Sequence, residues 1–349
     1  MSAVHRRTTI TFFALLLLLG LTAPLRAAQA PNDFQWGLVA YHVNFPGYEL
    51  YPEDFKTIAA NGIEWVRIDF AWGRLEPTRG VDFEFEYFDM LVREARANGL
   101  RILGTLGNGY NTLQRPVAPL WTRWLTGSQY VNELRDYANA TVQRYAADVD
   151  AWGLENELHI AAGHVLLRWR FKVWRPAIND EIMVVLSNAV RTHDQQGGAE
   201  MILTAAPIPG WQAFLREMAT LIDYDAVGLF TYPAFTSPDP SGFDDLVAEQ
   251  IAQAREASGG KPVIVMETGY QTPTPGPRRT EEKQAEYVVA MTQASIKAGA
   301  TGIYFYQYLD NDDEWLPREE AFGLLNNDRT PKLAWERYGD VIRQNGGVD

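Results

Sequence analysis

Two acidic residues follow directly on short apolar runs, and that placement is the first sign of chemistry in the chain. The run Ala151-Trp152-Gly153-Leu154 ends in Glu155-Asn156-Glu157, and Val263-Ile264-Val265-Met266 ends in Glu267-Thr268-Gly269. A charge beside a buried apolar segment is costly unless it is paired or put to use. If Glu157 and Glu267 face one pocket, one can protonate a leaving oxygen while the other attacks carbon, as cleavage of a glycosidic bond requires. Other polar groups stand near the ends of similar runs. Arg67 is placed to keep a neighbouring carboxylate nucleophilic, and Tyr232 is placed to donate a hydrogen bond to it. Tyr304, Tyr306, Gln307 and Tyr308 offer flat faces and an amide that suit sugar rings, and Trp36 and Trp72 lie at the ends of two further runs.

Eight such runs position these residues: 34–41, 62–70, 101–107, 149–157, 201–207, 226–233, 262–271 and 301–309. They are nearly continuous in apolar and β-branched residues, as strands covered on both faces should be. Amphipathic segments separate them. In 82–98, Phe88, Leu91, Val92 and Ala95 recur at helical spacing, and Gly99 is a stop signal. Segments 129–147, 180–196, 243–257, 281–298 and 331–344 read alike, with Ser128, Asn179, Thr280 and Thr330 as capping residues, and shorter helices are expected near 51–61 and 211–221.

Eight βα units predict a single α/β domain, a (β/α)8 TIM barrel, over residues 31–349. The alternative, an open doubly wound sheet, usually carries a glycine-rich phosphate turn after its first strand. Here that turn reads Ala40-Tyr41-His42-Val43-Asn44-Phe45. In a barrel the carboxyl ends of the strands build one site. Glu157 on strand four and Glu267 on strand seven then meet across it.

Composition narrows the function further. The chain of 349 residues has a formal charge of −13, and its first 30 residues hold Arg6, Arg7 and Arg26 but no acid, so the body is more negative still. Such a body repels nucleic acid and anionic membrane, and neither is an expected partner. With no cysteine there is no disulfide framework and no thiolate metal site. No cofactor is expected. His159 and His164 lack H-E-x-x-H spacing, and Asp310, Asp312, Asp313 and Glu314 lack an EF-hand frame, so they read as a solvated acidic loop.

The basic start, the apolar run Phe12 to Leu21 and the small residues up to Ala30 form a secretory signal pattern over residues 1–30. Cleavage is expected after Ala30 or Ala27; left uncut, the segment would serve as a membrane anchor. The apolar run is about half of the ~20 residues that a spanning helix needs. The protein is therefore expected to be secreted or periplasmic.

At these residues the sequence resembles glycoside hydrolase clan A, the retaining (β/α)8 enzymes. Asn156-Glu157 on the fourth strand, Glu267 on the seventh and Arg67 on the second match the clan's pattern. Trp72-Gly73-Arg74-Leu75-Glu76-Pro77 is similar to the W-x-x-x-E-P stretch of family 42-like and family 39-like members, as is Ala321-Phe322-Gly323-Leu324-Leu325 with Pro331-Lys332 to their segment after strand eight. The chain departs from the pattern too. Glu155 and Leu158 flank Asn156-Glu157 where many members have Trp and Pro, Phe230 stands where a His is common, and strand eight lacks the usual Trp, leaving Tyr306 or Trp315.

The resemblance implies double displacement on a polysaccharide or oligosaccharide, with Glu157 as acid/base, Glu267 as nucleophile and their carboxyl groups about 5–5.5 Å apart. It also implies Asn156 at the sugar 2-hydroxyl. A glycan-binding barrel without catalysis, or a transglycosylase using the same residues, are the alternatives. The stretch Arg168-Trp169-Arg170-Phe171-Lys172-Val173-Trp174-Arg175 is basic and aromatic in an acidic protein. Trp169 and Trp174 either line the cleft for an extended or acidic glycan or belong to a helix packed on the barrel.

Overall fold

The structure is a computed structural model that describes residues 29–41, 48–107, 118–156, 158, 176–194, 198–235, 240–272, 279–311 and 321–346. Eight strands lie within or at the edges of the eight expected runs: β1 (Gln35–Tyr41), β2 (Trp65–Asp69), β3 (Arg101–Leu106), β4 (Ala151–Leu154), β5 (Glu200–Ala205), β6 (Ala226–Phe230), β7 (Val263–Thr268) and β8 (Gly302–Phe305). They pair in parallel in chain order and β8 closes on β1, giving a single closed (β/α)8 barrel. The expected leader lies outside the described residues apart from its last two positions.

Alternation along each strand divides the apolar side chains between two cores. Leu38, Val66, Ile102 and Val265 point outward and join the layer beneath the helices. Val39, Leu103, Ile264 and Tyr304 point inward and fill the barrel. The interior is crowded, and glycines such as Gly37 and Gly228 make room for it. A Cβ on Gly37 would collide with the Tyr304 ring, and one on Gly228 with Met266.

The helices follow from their apolar spacing. They are α1 (Pro52–Ala60), α2 (Trp72–Leu75), α3 (Glu86–Ala97), α4 (Gly127–Tyr145), α5 (Pro176–His193), α6 (Trp211–Leu221), α7 (Phe243–Ala257), α8 (Glu281–Lys297) and α9 (Leu333–Gln344). In α3, Phe88, Leu91, Val92 and Ala95 are the buried residues, and Gly99 beyond its end has a positive φ of 74°. Such a backbone suits glycine at a helix stop.

Three expected caps are displaced. Helix α4 begins at Gly127, and Thr126 and Gln129 form its capping box, so Thr126 takes the place of Ser128. Asn179 lies inside α5, which opens at Pro176, a residue well suited to a first helical position. Lys332 takes the N-cap position of α9 without a side-chain cap bond, and the Thr330 hydroxyl is engaged with Asp328 at 2.6 Å in the preceding turn. Thr280 caps α8 as expected, accepting from the Lys283 N–H. Among the described residues, no helix is long and apolar enough to cross a membrane.

Candidate active site

Strand β2 supplies the centre of the site. Its alternation turns Trp65, Arg67 and Asp69 to the interior, and Arg67 pairs in register with Val39 and Leu103 on the flanking strands. Strand β7 reaches the same centre by an irregularity. Leu229 pairs with Val265, but the next residue, Phe230, pairs with Glu267, so one residue of β7 is bulged out of the ladder. The bulge sends both Met266 and Glu267 inward, while Thr268 returns to the outer face and meets the Tyr287 hydroxyl.

Arg67 is the hub, with no solvent exposure. Its Nη1 donates to Glu267 Oε2 at 2.6 Å, Nε donates to Asp69 Oδ1 at 2.8 Å, and Nη2 donates to Asp69 Oδ2 at 2.9 Å. Nη2 also donates to Asn156 Oδ1 at 2.7 Å, and Nε to Thr105 Oγ1 at 3.2 Å. The Phe230 ring lies 5.0 Å from the guanidinium carbon. Burial alone works against the cation, but Asp69 and Glu267 outweigh it and leave the guanidinium pKa raised.

The second Glu267 oxygen is also occupied, because the Tyr232 hydroxyl donates to Oε1 at 2.7 Å. The nucleophile candidate is thus held from both sides, and only 6% of the residue is exposed. Arginine can only donate, so the Asn156 oxygen must face Arg67 and its NH2 group is turned away from the guanidinium. That leaves an amide donor at the end of strand four.

Glu155 lies next to this cluster in an unusual backbone state. Its φ is 62°, a left-handed conformation that costs a non-glycine residue about 1–3 kcal/mol. The residue is wholly buried, its carbonyl accepts from the Thr204 hydroxyl at 2.9 Å, and its Oε2 accepts from the Asn156 N–H at 3.1 Å. Tyr130 and Tyr137 of α4 are pushed well above the ordinary phenol range, first by burial and then by the nearby Glu155 charge.

The structure therefore gathers Arg67, Asn156, Tyr232 and Glu267 into one cluster. Tyr306 lies in the interior beside Phe322, with ring centroids 5.3 Å apart, and its peptide bond to Gln307 is cis. Gln307 is 1% exposed, and among the described residues neither polar atom of its side chain has a hydrogen-bond partner. Buried amides in that state are rare.

Two aromatics expected in the site are elsewhere. Trp72 is wholly buried outside the barrel, stacked on Tyr137 at 5.3 Å and 18°, with its indole N–H donating to Glu76 Oε2 at 2.9 Å. The W-x-x-x-E stretch is thus a packing motif closed by its own hydrogen bond. Trp36 is the second residue of β1, at the amino end of the barrel, and packs on Phe34 at 4.6 Å. Strand ends come in two kinds, and Trp36 is at the wrong one for the site.

Asp310, expected in a solvated loop, is instead part of a mostly buried ion pair with Lys332. Lys332 Nζ donates to Asp310 at 2.7 Å and to Thr272 Oγ1 at 2.8 Å. Burial pushes the Asp310 carboxyl up to about 6 and the Lys332 ammonium down. The pair ties the segment carrying Phe322 to the ends of strands seven and eight.

Glu157, Trp169, Trp174, His159, His164, Trp315 and the acidic residues Asp312, Asp313 and Glu314 lie outside the described residues. Among the described residues, no group of three or more His, Cys, Asp or Glu side chains is arranged to hold a metal ion. Sequence reading missed Asp69 and Thr105. Asp69 carries a signal that was available: two residues after Arg67 on one strand, it must share Arg67's face.

The closed eight-stranded barrel is the fold expected of the clan A glycoside hydrolases that the sequence resembles. The family described as "Beta-galactosidase", glycoside hydrolase family 42, matches residues 42–121, the segment with Arg67, Asp69 and Trp72 through Pro77. Among curated proteins, the chain is 26% identical over 123 residues to Beta-glucosidase 9 of Arabidopsis thaliana, covering 34% of this chain and 24% of that protein. It is 29% identical over 115 residues to Furcatin hydrolase of Viburnum furcatum, covering 32% and 21%. The matches thus span about a quarter of these relatives' length or less.

Solved structures share the fold. GH5_18 from Streptomyces cattleya in complex with GlcNAc has a TM-score of 0.69 at 17% identity, covering 91% of this chain and 80% of that one. A family 1 β-glucosidase from Thermotoga maritima has a TM-score of 0.67 at 14% identity, covering 92% and 100%. A family 39 glycoside hydrolase from Bacteroides cellulosilyticus WH2 has a TM-score of 0.62 at 19% identity, covering 88% and 64%.

Proposed function

We propose that the protein is an exported, retaining β-glycosidase that hydrolyses a polysaccharide or oligosaccharide by double displacement. The observation that carries this reading is Glu267 held at both oxygens, by Arg67 Nη1 at 2.6 Å and the Tyr232 hydroxyl at 2.7 Å. Two donors fix the carboxylate plane so that one lone pair is aimed at a bound anomeric carbon, the near-attack geometry that supplies much of a displacement's rate.

In the first step, a Glu267 oxygen bonds to the anomeric carbon. The glycosidic C–O bond breaks, and Glu157 gives its proton to the departing oxygen. In the second, Glu157 takes a proton from water, the water oxygen bonds to the same carbon, and the ester to Glu267 breaks. Two inversions return the original configuration. Asn156, with its oxygen committed to Arg67, presents its NH2 group to the 2-hydroxyl, where hydrogen bonding strengthens in the transition state. The family and relatives that the chain resembles are glycoside hydrolases and β-glucosidases, which supports the reaction class.

The test is reducing-end release from gluco-, manno-, xylo- and galacto-configured β-glycans by the wild type and by Glu267→Gln. The expected result is release by the wild type, a loss on the order of 10⁴-fold or more in the variant, and a first-formed product whose proton spectrum shows the β-anomer. Assaying culture medium and periplasm separately locates the activity. Binding of glycan by both proteins with no release by either would leave a non-catalytic barrel. An α-anomer formed first would overturn retention, and longer oligosaccharides among the products would identify a transglycosylase.

A further inference from the structure

Behind Tyr232 an exposed ring is held in fixed relation to Glu267. The chain leaves β6 at Phe230 and makes a single turn over Pro233–Phe235, which the Phe235 N–H closes onto the Tyr232 carbonyl at 3.0 Å. The turn lays the Phe235 ring on the Tyr232 ring, with centroids 5.2 Å apart and planes 18° from parallel. Phe322 meets both rings edge-on, at 6.3 Å from Phe235 and 6.0 Å from Tyr232, and reaches Tyr306 at 5.3 Å. Phe235 is pinned by two aromatic neighbours and yet keeps 58% of its surface exposed.

An exposed phenylalanine alone is ordinary. What sets this one apart is its link to the reacting group, since the ring beneath it carries the hydroxyl that donates to Glu267 at 2.7 Å. Trp124 is more exposed, at 88%, but joins no ring of this cluster. A phenyl ring has no hydrogen-bonding group, so it recognises an apolar face, and the C–H face of a pyranose is the one that a glycan presents. Its ordering cost is already met by the stack on Tyr232, which is how a rigid aromatic contributes to binding.

We infer that Phe235 is the stacking platform for the sugar unit next to the one that bonds to Glu267. This rests on the reading of the site as a glycosidase and specifies its substrate. The enzyme is built for a glycan of several units and not for a single sugar carrying a small leaving group.

The test compares wild type, Phe235→Ala and Phe235→Trp on two substrates. One is the tetrasaccharide of the glycan that the wild type cleaves; the other is the β-glycosyl fluoride of the same monosaccharide, whose leaving group is a single atom. The expected result for Phe235→Ala is a KM on the tetrasaccharide about tenfold higher, with kcat within about twofold, the signature of lost uniform binding. Phe235→Trp keeps the wild-type KM, and both variants hydrolyse the fluoride as the wild type does. An unchanged tetrasaccharide KM in Phe235→Ala overturns the inference. So does a parallel loss on both substrates, which would mean that Phe235 only props Tyr232. Failure of the wild type to turn over even the fluoride would bring down the glycosidase reading itself, a result distinct from either.

Discussion

Arg67 and Trp72 are five positions apart, both wholly buried, and they answer to opposite physics. Arg67 points into the barrel and meets two carboxylates, an amide and a hydroxyl, so that each of its three nitrogens donates at 2.6–3.2 Å. Trp72 points out of it and meets rings: Tyr137 stacked at 5.3 Å, Trp121 and Tyr130 edge-on at 5.6 Å. A buried ion cluster of this sort is weak evidence for stability, because desolvation offsets most of its Coulomb attraction, and an apolar replacement often leaves a fold as stable or more so. An aromatic cluster has no such offset and adds its full burial. The inner region orients Glu267 at little net gain in stability, and the outer region supplies stability through packing.

The sharpest way to break that contrast is to exchange the two readouts. Glu267→Gln, which abolishes turnover in the proposed mechanism, should leave the thermal midpoint within about 4 °C of the wild type, since Arg67 keeps Asp69 as its counter-ion. A collapse of the midpoint would show that the inner cluster holds the barrel together after all. Trp72→Ala should do the reverse. Removing a fully packed indole costs about 3–5 kcal/mol of folding free energy, measured by denaturant titration, while kcat/KM of the folded protein stays within about threefold. A folded variant with KM raised tenfold would return Trp72 to the substrate site.

Asp69 lies between the two extremes and sharpens the comparison. It touches no reacting atom in the proposed mechanism and acts through Arg67, so it is a positioning residue. Asp69→Asn keeps one acceptor and puts an NH2 group against the guanidinium, which frees Arg67 to rotate away from Glu267 and Asn156. The expected loss in kcat is on the order of 100-fold with KM changed far less, because the displaced group matters most when charge develops. Asp69→Glu, which restores the charge at a longer reach, should recover part of that loss. Equal falls in kcat and in thermal stability, with no recovery by Glu, would make Asp69 a purely structural partner.

How much of this could be read without coordinates depends on which physical signal each residue leaves in the sequence. The eight strands were legible because a strand covered on both faces is a continuous apolar run, and all eight runs contain strand. Arg67 and Glu267 stood out as charges attached to such runs. Which way a residue at a strand end points was not legible, because a single bulge reverses it. The slip between Leu229 and Phe230 turns Glu267 inward, and nothing in Val263-Ile264-Val265-Met266-Glu267 announces it. Trp72 was misplaced because it lies beyond the end of β2, in helix α2 on the outer side. Asp69 was missed although period two puts it on Arg67's face, and Phe235 was missed because a phenylalanine after a strand leaves no mark of its exposure. Caps failed where several hydroxyls compete, as at Thr126 and Ser128, since only the reciprocal partner Gln129 tells them apart.

The smallest expected effect tests whether orientation at Glu267 is shared between two donors or carried by one. Arg67 supplies an ion-paired bond to Oε2, and Tyr232, an uncharged donor, supplies one to the carboxylate at Oε1. A hydrogen bond to a charged group contributes about 1.5–3 kcal/mol, and an uncharged donor such as a phenol lies at the lower end of that range. Tyr232→Phe keeps the ring, and with it the stack beneath Phe235 and the edge contact with Phe322. The aromatic wall therefore stays intact while the Oε1 donor is lost. The expected fall in kcat/KM is about tenfold, equally on a glycosyl fluoride and on a tetrasaccharide, because Oε1 orientation matters at the sugar that reacts and not at its neighbour. A loss confined to the tetrasaccharide would place Tyr232 in the same binding role as Phe235 and leave Arg67 alone in aiming the nucleophile.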